Sequence, residues 1–438
     1  MPDFDMKSLS DVADVRMGQS PPSSSCSEEP SGLPFLQGCA EFGARHPTPQ
    51  FYCNPPLRTA RAKSILISVR APVGDMNIAD QDYCIGRGLG AVAGTHADTA
   101  FLFYSMEHHR RQLQRVAQGS TFEAIGSREL RGMRLPIPSR PIQERIAEIL
   151  TTVDNQIEKT EALIAKYQAI KQGLMHDLFT RGVDEHGRLR PTRDEAPQLY
   201  KESELGWIPK AWETTRVDDL GEVRLGRQRS PKHQSGRFTT PYLRVANVFD
   251  GWFALTDVLE MDFTPTERET YSVTVNDIFL NEGQSLELVG RSARFDGPDG
   301  KYCFQNTLVR FRANDENIPC FWEGVFKYWL DTGRFQTVAR QTTSVAHLGA
   351  DRFARMLAAR PGKDEQKRIA GRLHSIRQFL ASEDARRDKL RNIKLGLMHD
   401  LLTGKVSVKP KPDDQDNGIT PNDEVKAGVK PRREGVHA

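Results

Sequence analysis

A chain of 438 residues has room for roughly two to four domains, each able to bury a core of its own. With 27% charged and 38% hydrophobic residues and a mean hydropathy of −0.56, it holds no run of about 18 apolar residues, which excludes a membrane-spanning helix. The net charge of +3 permits nucleic-acid binding without demanding it; six cysteines without C-x-x-C spacing and acids at Asp3 and Asp5 predict a reduced, cytoplasmic, unexported protein.

Residues 1–140 read as a globular α/β part with much irregular chain. Ser64–Val69 is a strand-like run and Ala100–Met106 a short apolar helix. The pattern changes over 141–182. Ile146, Leu150, Val153, Ile157, Ile164, Leu174 and Leu178, with Tyr167 between, follow steps of four and three, interrupted only at Thr160 and Lys171, which predicts one long helix with a heptad seam. At 1.5 Å per residue, 143–178 would span about 54 Å. Pro141 precedes it and Gly182 follows it, as start and stop signals. Residues 183–206 are polar and read as a linker. A second globular part, 207–362, carries strand-like Asp277–Leu280 and Thr307–Phe311 and an apolar helix at Phe321–Leu330. Residues 363–404 predict a second long helix through Ile369, Leu373, Ile376, Leu380, Leu390, Leu397 and Leu401, with Glu383 and Arg387 loosening its middle. The tail, 405–438, lacks periodicity and reads as disordered.

The two halves are copies. Gln143-Glu144-Arg145-Ile146-Ala147 reappears as Gln366-Lys367-Arg368-Ile369-Ala370, and Gly173-Leu174-Met175-His176-Asp177-Leu178 as Gly396-Leu397-Met398-His399-Asp400-Leu401. Both matches share an offset of 223, and 143–183 against 366–406 gives 17 identities in 41 positions without a gap. The globular parts correspond more loosely: Asp11–Gly18 parallels Asp219–Gly226, and Leu33–Leu36 parallels Thr240–Leu243. The helices differ in charge, net −2 over 143–178 and +5 over 366–401, which favours pairing with each other over self-pairing. Two helices each lying on its own globular part remain the alternative to an antiparallel pair holding those parts at opposite ends of a rod.

Arginine and lysine suit phosphates and guanine edges, and asparagine and glutamine suit adenine edges. Such residues gather in corresponding stretches of both halves. The first half offers Arg16, Gln19, Ser120, Thr121 and Arg128. The second offers Arg224, Arg227, Gln228, Arg229, Lys232, Arg244, Asn247, Arg291, Arg294, Thr342 and Thr343. Catalytic motifs fare worse. Asn54-Pro55-Pro56-Leu57 echoes the base-binding loop of amino-methyltransferases but lacks its aromatic residue, and Gly297-Pro298-Asp299-Gly300 reads as a β-turn rather than a metal motif. No phosphate loop G-x-x-x-x-G-K-[ST] is present. His176-Asp177 and His399-Asp400 end their helices, where packing or partner docking explains them better than catalysis.

On the doubled Gln-x-Arg-Ile-Ala…Gly-Leu-Met-His-Asp-Leu, on Trp207-Ile208-Pro209-Lys210-Ala211-Trp212 and on Tyr242-Leu243-Arg244-Val245-Ala246-Asn247-Val248, the chain resembles the specificity (S) subunit of type I restriction–modification enzymes. The resemblance implies an α+β fold: two α/β target recognition domains separated by two long antiparallel coiled-coil helices, related by a pseudo-twofold internal repeat. Each domain would read one half of a bipartite site in double-stranded DNA, and the helices would set the spacer. It further implies docking of two modification (methyltransferase) subunits on the helices, for which Ile146, Leu150, Leu174, Met175, Ile369, Leu373, Leu397 and Met398 are the candidates, and of restriction (motor-nuclease) subunits. S-adenosylmethionine, ATP and Mg would sit on those partners, with no metal, cofactor, catalytic residue or membrane contact on this chain. The competing readings are a coiled-coil adaptor without DNA specificity and a single-chain methyltransferase or nuclease.

Overall fold

The computed structural model describes residues 4–118, 123–228, 236–341 and 344–409. It divides into two compact units, Met1–Lys159 with Arg387–Ala438, and Thr160–Arg386. Each unit holds one head together with half of each long helix.

In the first unit the head is built on a four-stranded antiparallel sheet, in the order Ala13–Met17, Leu89–Gly94, Ile65–Ser68, Met76–Ile78. Ile65, Leu66 and Ile67 are all fully buried, because this central strand is covered on both faces. Alternation then divides them. Ile65 and Ile67 join the core beneath the helices, whereas Leu66 joins a second core with Leu36, Tyr83 and Ile85 of a small five-stranded sheet. In that small sheet Leu33–Leu36 runs parallel to Tyr83–Ile85.

The second unit repeats the plan. Its four-stranded sheet runs Gly221–Leu225, Leu308–Ala313, Ile278–Asn281, Ser292–Arg294. Ile278 and Leu280 face the helix-side core and Phe279 the small-sheet side. Thr239–Leu243 again pairs parallel with Cys303–Phe304. The aliphatic interior of the first head becomes aromatic here, with Phe253, Phe279, Phe295 and Phe304 meeting edge to face.

The long helices run Arg140–Thr180 and Lys363–Leu402. Within the first unit Ile146 and Leu150 pack with Met398, Leu401 and Leu402, and Asp154 meets Lys394. Within the second unit Met175 and Leu178 pack with Ile369 and Leu373, and Tyr167 lies 4.3 Å from Phe379. The half-helices of each unit are therefore antiparallel. Glu383 keeps one buried carboxylate oxygen without a hydrogen bond, 3.6 Å from the Arg386 guanidinium, as a polar residue in a heptad seam would.

The repeated glutamine of Gln-x-Arg-Ile-Ala ties helix to head in both units. Gln143, 2% exposed, accepts from the Asp98 amide at 2.7 Å and donates to the Pro138 carbonyl at 2.8 Å. Gln366, 0% exposed, accepts from the Ile318 amide at 2.9 Å and donates to the Pro361 carbonyl at 3.0 Å. Asp98 and Ile318 each precede a head helix, Thr99–His109 and Pro319–Asp331, so one side chain satisfies an orphan amide there and a carbonyl before its own helix.

Residues 183–206, expected as a linker, are instead packed into the second unit. Val183, Ala196 and Tyr200 are buried, Arg190 forms a two-pronged ion pair with Glu365 at 2.5 and 2.9 Å, and Tyr200–Ser203 pairs with Gly206–Pro209. Polar composition did not show this, because the stretch is anchored by a few apolar residues and by one shielded pair, Arg190 with Glu365. Of the tail, 410–438 lies outside the described residues, while Val408 packs against the first core.

Candidate nucleic-acid interface

At one end of each central sheet, loops from distant parts of the sequence are stitched into a ridge by the same backbone hydrogen bonds. In the first head Gly18 N–H donates to Leu89 at 2.8 Å, Gln19 to Ile85 at 2.9 Å, and Gly86 to Leu36 at 2.8 Å. In the second, Gly226 donates to Leu308 at 3.1 Å, Arg227 to Phe304 at 3.1 Å, and Gln305 to Leu243 at 2.9 Å. Gly18 and Gly226 are required at this crossing: a Cβ on either would lie 2.2 Å from the carbonyl oxygen of Gly86 or Gln305.

The first ridge presents exposed Gln19, Gln37, Arg70 and Arg87. Gln37 and Ser20 hydrogen-bond to each other, the Arg87 amide donates to Ser20 at 3.3 Å, and Val69 donates to Gly88 at 2.9 Å. Ile125 donates to Val69 at 2.9 Å, which brings the segment leading to exposed Arg128 onto the same side. Arg70, Arg87 and Arg128 make no ion pair among the described residues, so no carboxylate there competes with a ligand for their guanidinium donors. Arg16 lies further along its strand, bonded to Asp14 at 2.8 Å, and lines with Arg61 a cavity of about 230 Å³.

The second ridge holds its candidates differently. Asn247, expected to read adenine, is 1% exposed; its amide donates to the Ala254 and Asp257 carbonyls and its oxygen accepts from Arg244 N–H. It builds the loop and has no free edge for a base. Arg227, 6% exposed, is bound to Glu267 at 2.8 Å and to the Asp262 carbonyl, and lies over the Phe263 ring. Arg224 pairs with Glu222 and Arg244 with Asp257 at 2.7 Å. Arg291 donates to the Val248 carbonyl and covers Phe249, while Arg294 bonds Asn276 at 2.8 Å. Gln228 is exposed. Ser120, Thr121, Arg229, Lys232, Thr342 and Thr343 lie outside the described residues.

The sequence reading did not single out Gln37, Arg70 and Arg87 of the first ridge or Asn306 of the second. Gly86-Arg87-Gly88 and Gln305-Asn306-Thr307 occupy equivalent turns at an offset of 219, and carrying the repeat comparison past Val73 and Val289 would have found them.

The helix residues expected to dock partners need correction. Ile146, Leu150, Met175, Ile369, Leu373 and Met398 are at most 5% exposed, and Leu174 and Leu397 pack against the same cores. They hold the chain's own seam, because heptad apolar positions are consumed by the partner helix. Exposed apolar residues on these helices are instead Ile170, Ile393 and Leu395.

Asn54 lies exposed in the bend after Phe51–Cys53, and Asp299 accepts from the Val275 amide as a turn residue. Among the described residues no group of three His, Cys, Asp or Glu side chains is placed to hold a metal ion, and no helix is long and apolar enough to cross a membrane.

Residues 1–167 match the family described as type I restriction modification DNA specificity domain. The putative type I restriction enzyme MjaX specificity subunit of Methanocaldococcus jannaschii is 41% identical over 168 residues, 38% of this chain and 40% of that relative. The MjaVIII specificity subunit of the same organism is 24% identical over 338 residues, 71% of either chain. Among solved structures, the type I restriction–modification S subunit from M. genitalium superposes with a TM-score of 0.56 at 15% identity, covering 92% of this chain and 96% of that one. A chain from a structure of type I R-M complex assembly and conformational transition gives 0.56 at 13% identity over 93% and 99%. In its first 167 residues and in its fold, the chain is thus similar to the specificity subunits of type I restriction–modification systems.

Proposed function

We propose that this chain is the DNA sequence-recognition subunit of a type I restriction–modification complex, each head reading one half of a bipartite site. The observation that carries the reading is the duplicated loop ridge: one hydrogen-bonded frame, built twice, with different side chains on each copy. A frame that is fixed while its side chains vary suits recognition of two unlike half-sites, since base readout depends on side chains and register on the frame. The length of the two long helices sets the unread spacer between the half-sites. Methyltransferase subunits, with S-adenosylmethionine, and motor-nuclease subunits, with ATP and Mg, supply the chemistry; this chain supplies none. It works in the cytoplasm, where the DNA is.

Mapping methylated adenines in the genome of the host tests this directly. A gapped motif with two short defined halves is expected, and an ungapped motif or none dependent on this chain overturns the reading. Inserting four residues, about one turn, into both long helices should lengthen the gap while leaving both halves unchanged. An unaltered gap would remove the spacer role and leave recognition standing.

A further inference from the structure

The internal repeat exposes one position where the two units disagree in charge. In the first unit Lys394 lies 2.8 Å from Asp154 and 3.7 Å from Glu107, with its ammonium 5.5 Å from the centre of the Tyr104 ring. Lys394 corresponds to Lys171 and Asp154 to Arg377, both at the offset of 223. Glu107 corresponds to Lys327, because Gln143 and Gln366 clamp the two head helices in one register at Asp98 and Ile318. The neighbouring contacts agree with that register: His108 meets His399 in the first unit, and Tyr328 meets His176 at 3.0 Å in the second. A lysine flanked by two acids in one unit is a lysine flanked by two cations in the other.

Nature does not leave such charges together without a reason in the surroundings. In the second unit Lys171, Lys327 and Arg377 line a cavity of about 190 Å³ with Asp250, Gly251, Ser292 and Glu323. Lys327 is matched by Asp250 at 3.0 Å and Asp331 at 2.5 Å, and Arg377 by Glu323 at 3.1 Å, which Arg294 also approaches at 3.5 Å. Lys171 has no ion pair among the described residues. It is half-buried, and burial with the charges of Arg377 and Lys327 holds its ammonium below the usual lysine range. Ser292, 4% exposed, also lines the cavity and makes no side-chain hydrogen bond among the described residues.

We propose that this cavity receives a phosphoryl group. A tetrahedral anion would pair with Lys171, which Asp250 and Asp331 offset only in part, and accept hydrogen bonds from the Ser292 hydroxyl and from ammonium and guanidinium donors left over by Lys327 and Arg377. The space is several times the roughly 30 Å³ that a water molecule takes up in the liquid. The group comes either from free phosphate or a nucleotide, or from the backbone of a bound duplex.

Scanning calorimetry of the full chain in millimolar sodium phosphate, against sodium chloride at matched ionic strength, tests the site, with binding to a duplex of random sequence as a second arm. Phosphate should raise the Tm of the natural chain, and Lys171→Gln should abolish most of that rise. In chloride the same variant should melt no lower than the natural chain, since it removes a half-buried ammonium set beside two other cations. Lys394→Gln should behave oppositely, melting lower in chloride and keeping the phosphate response. If free phosphate has no effect but Lys171→Gln lowers the salt dependence of duplex binding by about one ion, the backbone is the source. A Lys171→Gln chain that keeps the natural phosphate response and the natural duplex affinity overturns the proposal. None of these readouts depends on which sequence the heads read.

Discussion

The two heads share the hydrogen-bonded frame of their ridges, yet apart from Arg16 and Arg224, each tied to an acid on its own strand, they use their arginines differently. On the first ridge Arg70, Arg87 and Arg128 have no acidic partner among the described residues. In the second head Arg224, Arg227, Arg244, Arg310 and Arg312 are each bound to a carboxylate of the same head, Arg310 while 2% exposed. A guanidinium tied to a carboxylate fixes loop shape and contributes little net charge, whereas an unpaired one adds directly to phosphate and base affinity. One frame therefore carries two arrangements: a ridge that presents unpaired cations and a ridge whose shape is set from within.

The frame itself is the first thing to break. Replacing Gln143 or Gln366 by alanine leaves a head-helix amide and a proline carbonyl buried without partners, each costing about 1–3 kcal/mol. A loss of about 2–4 kcal/mol is expected for Gln143→Ala in urea unfolding. Gln366→Ala should lose more, because Gln366 also donates to Asn317 at 3.2 Å. Equal losses would show that the third bond contributes nothing. A loss below about 1 kcal/mol at either site would show that water takes over the amide's work.

Next comes the contrast between free and tied arginines. Arg87→Ala should weaken duplex binding by the assembled complex by about 1–3 kcal/mol if the guanidinium reads a base, and lower the salt slope by about one if it meets a phosphate. Its effect on thermal stability should be small, since the side chain is exposed and makes no ion pair among the described residues. Arg227→Ala should do the reverse, lowering stability by about 1–3 kcal/mol through loss of its buried pairing with Glu267 and the Asp262 carbonyl. Filter binding and melting of both variants check the pair. If Arg227→Ala melts normally and loses only DNA affinity, the distinction between the heads fails.

Much of this was legible in the sequence. The repeat that carries Gln143 and Gln366 showed the duplication, though not the contact these side chains make, and the apolar steps from Ile146 to Leu178 gave the helix within a few residues of its ends. The strand at Ile65–Ile67 declared itself by continuous apolarity. Residue type alone did not reveal burial at the ridge: Asn247 and Arg227 have the chemistry of base readers, but partners between 3 and 40 positions away in the chain claim them. The docking residues failed for a related reason. Heptad periodicity marks where a helix is apolar without saying which surface fills the seam, and here the chain's own second helix does.

The smallest expected effect separates the units by pH. Burial, His109 and His399 hold the His108 imidazole below its ordinary range, so protons bind the unfolded chain more readily than the folded first unit. Stability from this source is complete above about pH 6.5 and falls as the pH drops through the range in which the unfolded histidine protonates. The counterpart in the second unit is Tyr328, pushed above its ordinary range by burial and uncharged throughout. Acid should therefore weaken the first unit selectively. All five tryptophans, Trp207, Trp212, Trp252, Trp322 and Trp329, belong to the second unit, so indole fluorescence follows that unit while circular dichroism follows both. Between about pH 6.5 and 5 the urea midpoint by circular dichroism should fall further than the midpoint by fluorescence, and His108→Gln should narrow the gap. If the gap is unchanged in His108→Gln, the acid sensitivity lies elsewhere and the His108–His399 contact is only packing.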